Sequence, residues 1–358
     1  MFKTFEHSLK FRIMIGIDTI RIKLDKFTVK RSSALIMNSE YNLSGEDKTD
    51  TLFRLEDGEE ISARKAFLNS PKYNFEILKG INGTNAFVHF SIPKVHNEKS
   101  NYEMIGKDDS YKVISKIESE LRSSGIITDL YNGKVSRLDI CRNVITDKKY
   151  NEYDNVLNNL QMKRAVKKDL GKNVDTHLWK NTLQEICLYD KHKEMTFKKN
   201  DVSGVHENTV RCEIRLMRTR KVNDEFQFDN VESMFDRYNE LGTNYRKKLK
   251  TNIFKYDISE FEVLLKNEVV SRLNYFRSHY KRNAVNEFIK SFGIVMIERL
   301  IGMKVFELAL KESGCKRNTI HYVRKNYNKK IFENSLFGSN NNPAELYNEL
   351  KFKLCEAA

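Results

Sequence analysis

The chain has 358 residues, 40% of them hydrophobic and 31% charged, a composition that predicts a folded core under a heavily charged surface rather than disorder. Lys and Arg number 63 against 49 Asp and Glu, and the net charge of +14 favours a polyanionic partner, nucleic acid above all. No stretch approaches the roughly 20 apolar residues of a membrane span. The first residues also lack a secretory signal, so we expect a cytoplasmic protein without membrane partners.

The five cysteines are scattered without any C-x-x-C pair. Their odd number and spacing argue against a disulfide framework and against a zinc site. We therefore expect reduced, mostly buried thiols.

Strand patterns dominate the first two thirds of the chain. Helical spacing occurs only from Asp109 to a stop at Gly125 and near 151–160, and 43–64 is expected to be a loop or weak hairpin. Asp18 is expected to share a strand face with Ile20 and Ile22. The predicted strands are 14–24, 86–92, 134–145, 176–180, 183–189 and 209–217.

From about Asn230 onward, apolar residues recur at three- and four-residue spacing, which is typical of helices. The sequence thus predicts an α+β fold, an antiparallel-rich sheet with packed helices, followed by an all-helical C-terminal domain. The predicted division is 1–225 and 226–358.

The segment EICLYDKHKEM places Tyr189 at the end of an apolar strand-like run. A phenol with a pKa near 10 is a weak nucleophile at neutral pH, so nearby cations or a metal would have to stabilise the phenolate. Lys191, His192 and Lys193 offer positive charge. The alternative is a tyrosine that closes a strand and buries its ring.

Three further groups, His89, Asp139 and Glu213, lie in strand-like runs that could hold metal ligands rigidly. A hard cation such as Mg²⁺ prefers carboxylate oxygens, and phosphoryl transfer uses one to polarise the phosphate. The alternative is ordinary ion pairing. Asp139 would then pair with Arg137 or Arg142, and Glu213 with Arg211 or Arg215.

Taken in order, four motifs across residues 14–217 resemble the rolling-circle replication initiators of phages and plasmids, a family typified by the gene II protein of filamentous phages. The motifs are MIGIDTIRIKL with VHFSIPKV, then S-R-L-D (Ser136 to Asp139), Y-x-K-x-x-E (Tyr189, Lys191, Glu194) and R-x-E-x-R (Arg211, Glu213, Arg215).

The resemblance implies that Tyr189 attacks a DNA phosphodiester at the replication origin, stays joined to the 5′ phosphate and releases a 3′ hydroxyl that primes synthesis. Lys191 and Glu194 would assist catalysis. It also implies a Mg²⁺ or Mn²⁺ ion at Asp139, Glu213 and His89, and DNA contacts from Arg137, Arg211 and Arg215.

Two features depart from the family pattern. His89 stands where the family usually has an acidic residue, and imidazole suits softer metals than Mg²⁺. The histidine-hydrophobe-histidine motif of the wider nickase class is also missing, so a metal site would be mainly carboxylate. No phosphate-binding G-x-x-x-x-G-K-[ST] occurs, and neither ATP nor an organic cofactor is expected.

Basic segments predict further DNA contacts. The 161–172 connector, 246–250 and 316–330 are rich in Lys and Arg, and the last follows a helix and Gly314 as in a helix-turn-helix. A solvated charged surface is the alternative. The predicted contact residues here are Lys163, Arg164, Lys167, Lys168, Lys316, Arg317, Arg324 and Lys325.

The sequence thus favours a nicking and joining initiator of rolling-circle replication. Its partners would be single-stranded or supercoiled origin DNA and the replication helicase and polymerase of a bacterial host. Two alternatives stay open: a non-catalytic DNA-binding regulator in which Tyr189 is structural, and a relaxase or transposase with the same tyrosine chemistry.

Overall fold

The chain folds as α+β, which confirms the predicted fold class. A computed structural model describes residues 15–38, 51–62, 65–80, 83–98, 100–169, 176–292, 303–333 and 343–356. Within these ranges the strands are β1 (Gly16–Leu24), β2 (Phe27–Val29), β3 (Ile36–Asn38), β4 (Thr51–Arg54), β5 (Glu60–Ser62), β6 (Lys65–Asn69), β7 (Asn74–Gly80), β8 (Gly83–Ser91), β9 (Ile126–Thr128), β10 (Lys134–Ile145), β11 (Val166–Asp169), β12 (Thr176–Lys180), β13 (Gln184–Asp190) and β14 (Thr209–Leu216).

Helices lie between strands in the first part of the chain, and after β14 the described elements are all helical. Within the same ranges the α-helices are α1 (Ile92–Asn97), α2 (Lys107–Ser123), α3 (Asp154–Asn159), α4 (Lys191–Phe197), α5 (Thr219–Phe226), α6 (Val231–Asp236), α7 (Leu241–Asn252), α8 (Ile258–Tyr280), α9 (Ala284–Phe292), α10 (Met303–Glu312), α11 (Arg317–Glu333) and α12 (Pro343–Lys351). Short 3₁₀ turns lie at Tyr150–Tyr153, Tyr238–Glu240 and Lys281–Asn283, and a π turn at Phe352–Glu356. None of the helices in these ranges combines the length and apolar composition that a bilayer span requires.

Ten strands form one sheet, in the order β11-β12-β13-β14-β10-β1-β8-β7-β6-β3. Every neighbouring pair in it is antiparallel. The strand pairs β2-β9 and β4-β5 form two further small sheets. Because side chains alternate along a strand, each strand of the large sheet presents every second residue to the same face.

One face of the large sheet is apolar core. Ile20, Leu138, Ile140 and Ile214 occupy paired positions on β1, β10 and β14, and all are fully buried. α5 packs against β10. The opposite face carries Arg137 and Asp139 of β10, as the alternation in 134–145 predicts, whereas Arg142 lies buried on the core face.

Some strands and helices match the sequence predictions, and others were not predicted. β10 spans the whole predicted strand, and β4 and β5 form the weak hairpin expected within 43–64, of which 43–50 and 63–64 lie outside the described residues. The β6-β7 hairpin was not predicted, and the 161–172 connector contains the edge strand β11. Pro93 lies in the first turn of α1, where its missing N–H is no loss.

The chain divides into two compact units, Met1–Ile145 with Arg164–Lys247, and Thr146–Lys163 with Lys248–Ala357. These bounds differ from the predicted division into 1–225 and 226–358. The chain beyond 225 stays with the sheet because the N–H of Val231 bonds to the carbonyl of Gly133, and the Tyr245 hydroxyl bonds to the carbonyl of Cys212.

The second unit, here the helical unit, has its own core. Phe261, Leu265 and Leu273 of α8 recur at helical spacing and are at most 1% exposed. The ring of Phe261 stacks on Tyr347 of α12 with centroids 4.2 Å apart. Tyr153 joins this unit through a 2.6 Å hydrogen bond from its hydroxyl to Glu349.

Candidate active site on the polar face of the sheet

Three neighbouring strands bring the predicted motifs together. In the registers of β13, β14 and β10, Tyr189 is opposite Arg211, and Asp139 is opposite Arg215. Directly opposed residues of an antiparallel pair share a face. We call this surface the polar face. On these strands it carries Glu185, Cys187, Tyr189, Arg211, Glu213, Arg215, Arg137, Asp139, Cys141 and Asn143.

The hydroxyl of Tyr189 donates a 2.5 Å hydrogen bond to Oε1 of Glu213. Tyr189 is 8% exposed, and burial followed by the charge of Glu213 raises the pKa of the phenol well above its ordinary value. Burial also acts to raise the pKa of Glu213, but the charges of Arg215 and Arg211 and the bond from the phenol lower it to about 2. At neutral pH the pair is a neutral phenol bonded to a carboxylate.

Arg215 links three carboxylates of the polar face. Its Nε and Nη2 donate to Oε2 of Glu213 at 2.9 and 2.6 Å. Its Nη1 lies 3.4 Å from Oε2 of Glu185, and its Nε lies 4.0 Å from Oδ2 of Asp139. The side chain is 26% exposed, so an anionic ligand can reach this guanidinium from solvent.

Arg211 is instead fully buried and held on all sides. Its Nε donates to Oδ1 of Asn143 at 2.6 Å, and its Nη1 lies 3.3 Å from Oδ1 of Asp18. Its Nη2 donates to the carbonyls of Asn101 and Tyr102 at 2.5 and 3.0 Å. With its donors engaged inside the protein, Arg211 orders the site and is not placed to contact DNA, contrary to the implied role.

Asp18 belongs to this site, although the sequence places it with Ile20 and Ile22. The pairing of β1 with β10 shifts between Ile17 and Thr19, and such an extra residue lets adjacent side chains share a face. Thr19 donates to Oδ2 of Asp18 at 2.8 Å. Strict period-two counting misses this residue because the irregularity depends on the partner strand.

Lys191 begins α4, directly after β13. The carboxylate of Asp190 caps this helix by accepting from the N–H of Lys193 at 2.8 Å. The strand-to-helix turn therefore buries Lys191 completely and holds its Nζ 5.9 Å from the centre of the Tyr189 ring.

The buried ammonium of Lys191 has two oxygen partners. It donates to Oε2 of Glu194 at 2.7 Å and to Oδ1 of Asn101 at 2.9 Å. Burial, and then the charge of Arg211, lowers the pKa of Lys191 to about 8. For Glu194, burial opposes ionisation, but Lys191 and Lys198 outweigh it and lower the pKa. The three motif residues Tyr189, Lys191 and Glu194 thus lie in one neighbourhood.

Asp139 and Arg137 form a bidentate pair, with N–O distances of 2.9 and 2.6 Å. Asp139 is 3% exposed, and burial raises its pKa to about 6 although Arg137 acts to lower it. The ion pairs considered as the alternative to metal binding are therefore present: Asp139 with Arg137, and Glu213 with Arg215.

The proposed metal ligands do not converge in this arrangement. His89 is on β8, which β1 separates from β10, and Arg21 lies opposite both His89 and Arg137. Burial, then Arg137 and Arg21, lowers the pKa of His89. No three His, Cys, Asp or Glu side chains within the described ranges are grouped to hold an ion. The engaged carboxylates of Asp139 and Glu213 and the distant imidazole do not fit one divalent cation.

The other predicted DNA contacts of the first basic segment lie near β11. Lys163 and Arg164 are exposed, and the Nζ of Lys167 lies 5.8 Å from the centre of the Trp179 ring. Lys168 is in β11, but its side chain lies outside the description.

In the helical unit, α10, Gly314 and α11 form the predicted helix-turn-helix succession, with φ +74° at Gly314. Lys316, Arg317 and Lys325 are exposed. Arg324, although exposed, is engaged by Glu307 in a bidentate ion pair whose Nε–Oε1 distance is 2.7 Å.

A groove of about 500 Å³ lies beside the start of α11. Four cations line it, and of these Lys316 alone is among the predicted DNA contacts. No acidic residue occurs among the described residues of its lining. We call it the basic groove. Its cations are Arg277, Lys281, Arg282 and Lys316.

The polar face combines the parts that phosphoryl transfer by a tyrosine requires. The phenol is bonded to a carboxylate that can take its proton, and Arg215 and Lys191 place positive charge nearby. Four of the five cysteines are buried, as expected. No protein-family model matches the chain, and a search of curated proteins finds no match.

Proposed function

We propose that the chain initiates rolling-circle replication by nicking and rejoining one strand of origin DNA through a covalent 5′-phosphotyrosine at Tyr189. The observation that carries the proposal is the 2.5 Å bond from the Tyr189 hydroxyl to the ionised Glu213 beside a partly exposed Arg215. Two separate motifs, Y-x-K-x-x-E and R-x-E-x-R, supply these three residues, which share one face of neighbouring strands.

Attack forms a bond between the phenolic oxygen of Tyr189 and the phosphorus, and it breaks the bond from phosphorus to the 3′ oxygen. The phenolic proton passes to Glu213, and the departing 3′ oxygen takes a proton from water to become the hydroxyl that primes synthesis. The phosphodiester is exchanged for a phosphotyrosine ester, so the reverse attack by a 3′ hydroxyl rejoins the strand.

Glu213 and Arg215 have different roles in the attack on the phosphate. Since the raised pKa keeps Tyr189 protonated at neutral pH, the phenol needs a base during attack, and Glu213 already accepts its hydrogen bond. Arg215 and the ammonium of Lys191 stabilise charge on the phosphoryl oxygens. Glu194 holds Lys191 in place.

Dependence on Mg²⁺ or Mn²⁺ stays a prediction from the resemblance. In the described arrangement the positive charge near Tyr189 comes from arginine and lysine. Cleavage in Mg²⁺ or Mn²⁺ compared with cleavage in EDTA tests the prediction, and full activity in EDTA would contradict it.

We infer that DNA also binds to the helical unit through exposed cations near α11. Lys316, Arg317 and Lys325 are exposed there, and the basic groove adds Arg277 and Arg282. Unopposed cations favour contacts to the phosphate backbone. The replication helicase and polymerase of a bacterial host would act after the nick, in the cytoplasm.

The burial of Tyr189 gives the regulator alternative its support, because a tyrosine that is 8% exposed and already hydrogen-bonded could be purely structural. The two functions predict different results for Tyr189→Phe. If the protein is a nickase, Tyr189→Phe loses all cutting. If it is a regulator, neither wild type nor the variant cuts DNA, and both bind DNA equally well.

The test incubates wild-type protein with Mg²⁺ or Mn²⁺ and two forms of the DNA that encodes it, single-stranded fragments and supercoiled circles. The products are separated on denaturing gels. We expect nicked DNA and a protein–DNA adduct, both lost in Tyr189→Phe. Tyr245→Phe is the matched control, since it removes the hydroxyl of another buried, hydrogen-bonded tyrosine in the same unit. DNA binding without nick or adduct would overturn the proposal in favour of the regulator.

A further inference from the structure

A second cavity opens on the polar face, on strands away from Tyr189. Its volume is about 320 Å³, within the range of pockets that hold small organic groups. β1, β10 and β14 separate its strands from β13. The cavity is lined by Lys65, Phe67, Asn69, Asn74, Phe75, Glu76 and His89.

The lining combines an aromatic surface with several hydrogen-bonding groups. His89 lines the cavity, and its Nε2 has no hydrogen-bond partner among the described residues, so a bound molecule can supply one. Asn69 and Asn74 are exposed amides on adjacent strands, in directly paired positions. Phe67 supplies a ring to the same cavity. An unpaired nucleobase offers the matching features, a flat π face and an edge of donors and acceptors.

Ion pairs hold two charged residues of the lining, Lys65 and Glu76, in place. Glu76 accepts from Arg21 at 2.5 Å and from Lys65 at 2.9 Å. The guanidinium of Arg21 also lies 3.9 Å from the centre of the Phe87 ring. Since these three contacts hold Arg21 and Glu76 in place, the site is ordered before any ligand arrives, which lowers the entropy lost on binding.

A row of arginines connects the cavity with the Tyr189 site. Arg215, Arg137 and Arg21 lie on the adjacent strands β14, β10 and β1, and all three belong to the polar face. Their side chains are 26%, 26% and 32% exposed. With strands about 4.8 Å apart, β8 lies four spacings, or roughly 19 Å, from β13. A few nucleotides of extended single strand cover such a distance.

We propose that the cavity around His89 binds one unpaired base of the DNA single strand that flanks the phosphate cut by Tyr189, with Arg215, Arg137 and Arg21 placing positive charge along the phosphates between them. The inference rests on the proposed function, because it takes single-stranded DNA as the substrate. It assigns His89 to base recognition.

Binding is measured in the Tyr189→Phe protein, so that cutting cannot interfere. The probe is a fluorescent single-stranded oligothymidine of about twelve nucleotides, a length within the usual site sizes of single-strand binders. We expect His89→Ala and Asn74→Ala each to weaken binding by about fivefold to tenfold, the effect of losing contacts to one base. His96→Ala, which removes an exposed histidine of α1, should leave the affinity unchanged.

A second measurement locates the base. The same oligonucleotide with 5-iodouracil is irradiated, and the cross-linked peptide is identified by mass spectrometry. Cross-links at Phe67 or His89 are expected. Unchanged affinity in both variants, or cross-links only elsewhere, would overturn the inference even if Tyr189 nicks DNA. If cross-links form at the cavity but Tyr189 never forms an adduct, the proposed nicking fails and the base site stands.

Discussion

The polar face and the basic groove both concentrate cations, but they hold them differently. On the polar face, Arg211 and Lys191 are fully buried and each has a carboxylate within 3.3 Å. In the basic groove, no acidic residue occurs among the described residues of the lining. Buried, paired charges are fixed in position and suit chemistry, whereas unopposed surface charges attract a polyanion over a distance and are screened by salt.

The largest effect is expected from Glu213→Gln. The amide keeps the size of the side chain but cannot take the proton of Tyr189, and loss of a general base lowers rates by about 10²- to 10⁴-fold. Adduct formation is followed in a single turnover. Glu185→Gln is the control, since Glu185 also contacts Arg215 but has no bond to Tyr189. Equal rates for Glu213→Gln and wild type would remove Glu213 from the reaction.

Arg211→Met should destabilise the protein strongly. It leaves the buried Asp18 without its cation, and breaking a buried ion pair from one side costs about 3–5 kcal/mol. Arg282→Met, on an exposed residue of the basic groove, should change stability by less than about 0.5 kcal/mol. Urea unfolding followed by circular dichroism measures both. Similar unfolding midpoints for the two variants would contradict the contrast between the two regions.

Cleavage should depend on pH through Lys191, whose pKa is lowered to about 8. If its ammonium stabilises the reacting phosphate, the rate falls above pH 8, by about tenfold per unit. Lys191→Arg keeps its charge at this pH and should remove the fall. The free energy of unfolding changes with pH in the direction opposite to the cleavage rate. Between pH 8 and 10.5 the unfolded chain binds more protons at Lys191 than the folded protein does, so the contribution of Lys191 to stability rises with pH. A rate that stays level to pH 10 in wild type would exclude the role.

The smallest effect is expected in the basic groove. Replacing Lys281 by Gln should lower the salt slope of duplex binding by about 0.9 and the affinity by about fivefold at physiological salt, without altering cleavage of a short oligonucleotide. Arg324→Gln should change both less, because Glu307 already pairs with Arg324. Fluorescence anisotropy over a salt series measures the slopes. Equal slopes for wild type and the Lys281 variant would place the duplex elsewhere.

Local sequence patterns predicted the strands that hold the chemistry. The alternation in 134–145 predicted β10 along its whole length, with Arg137 and Asp139 on the face opposite Leu138. Period two fixes which side chains share a face on one strand, and that was enough to group Asp139 with Arg137. The α+β class followed from the same alternation and from the helical spacing after Asn230.

What the sequence could not predict depends on contacts between distant segments. The shift in β1 that brings Asp18 to Arg211 exists only in its pairing with β10. The carbonyl of Asn101, which accepts from Arg211, has no side-chain signature at all. His89 matched a metal-ligand position by motif order, but the strand order separates it from Glu213. Strand neighbours are a property of topology that spacing along the chain does not contain.

The most direct test of the proposed nicking reaction identifies the residue that carries the DNA. The adduct is trimmed with nuclease, digested with trypsin and analysed by mass spectrometry. Cleavage after Lys180 and Lys191 releases residues 181–191, in which Tyr189 is the only tyrosine. We expect a nucleotide phosphate on this peptide, at Tyr189. The same mass on any other peptide would contradict it.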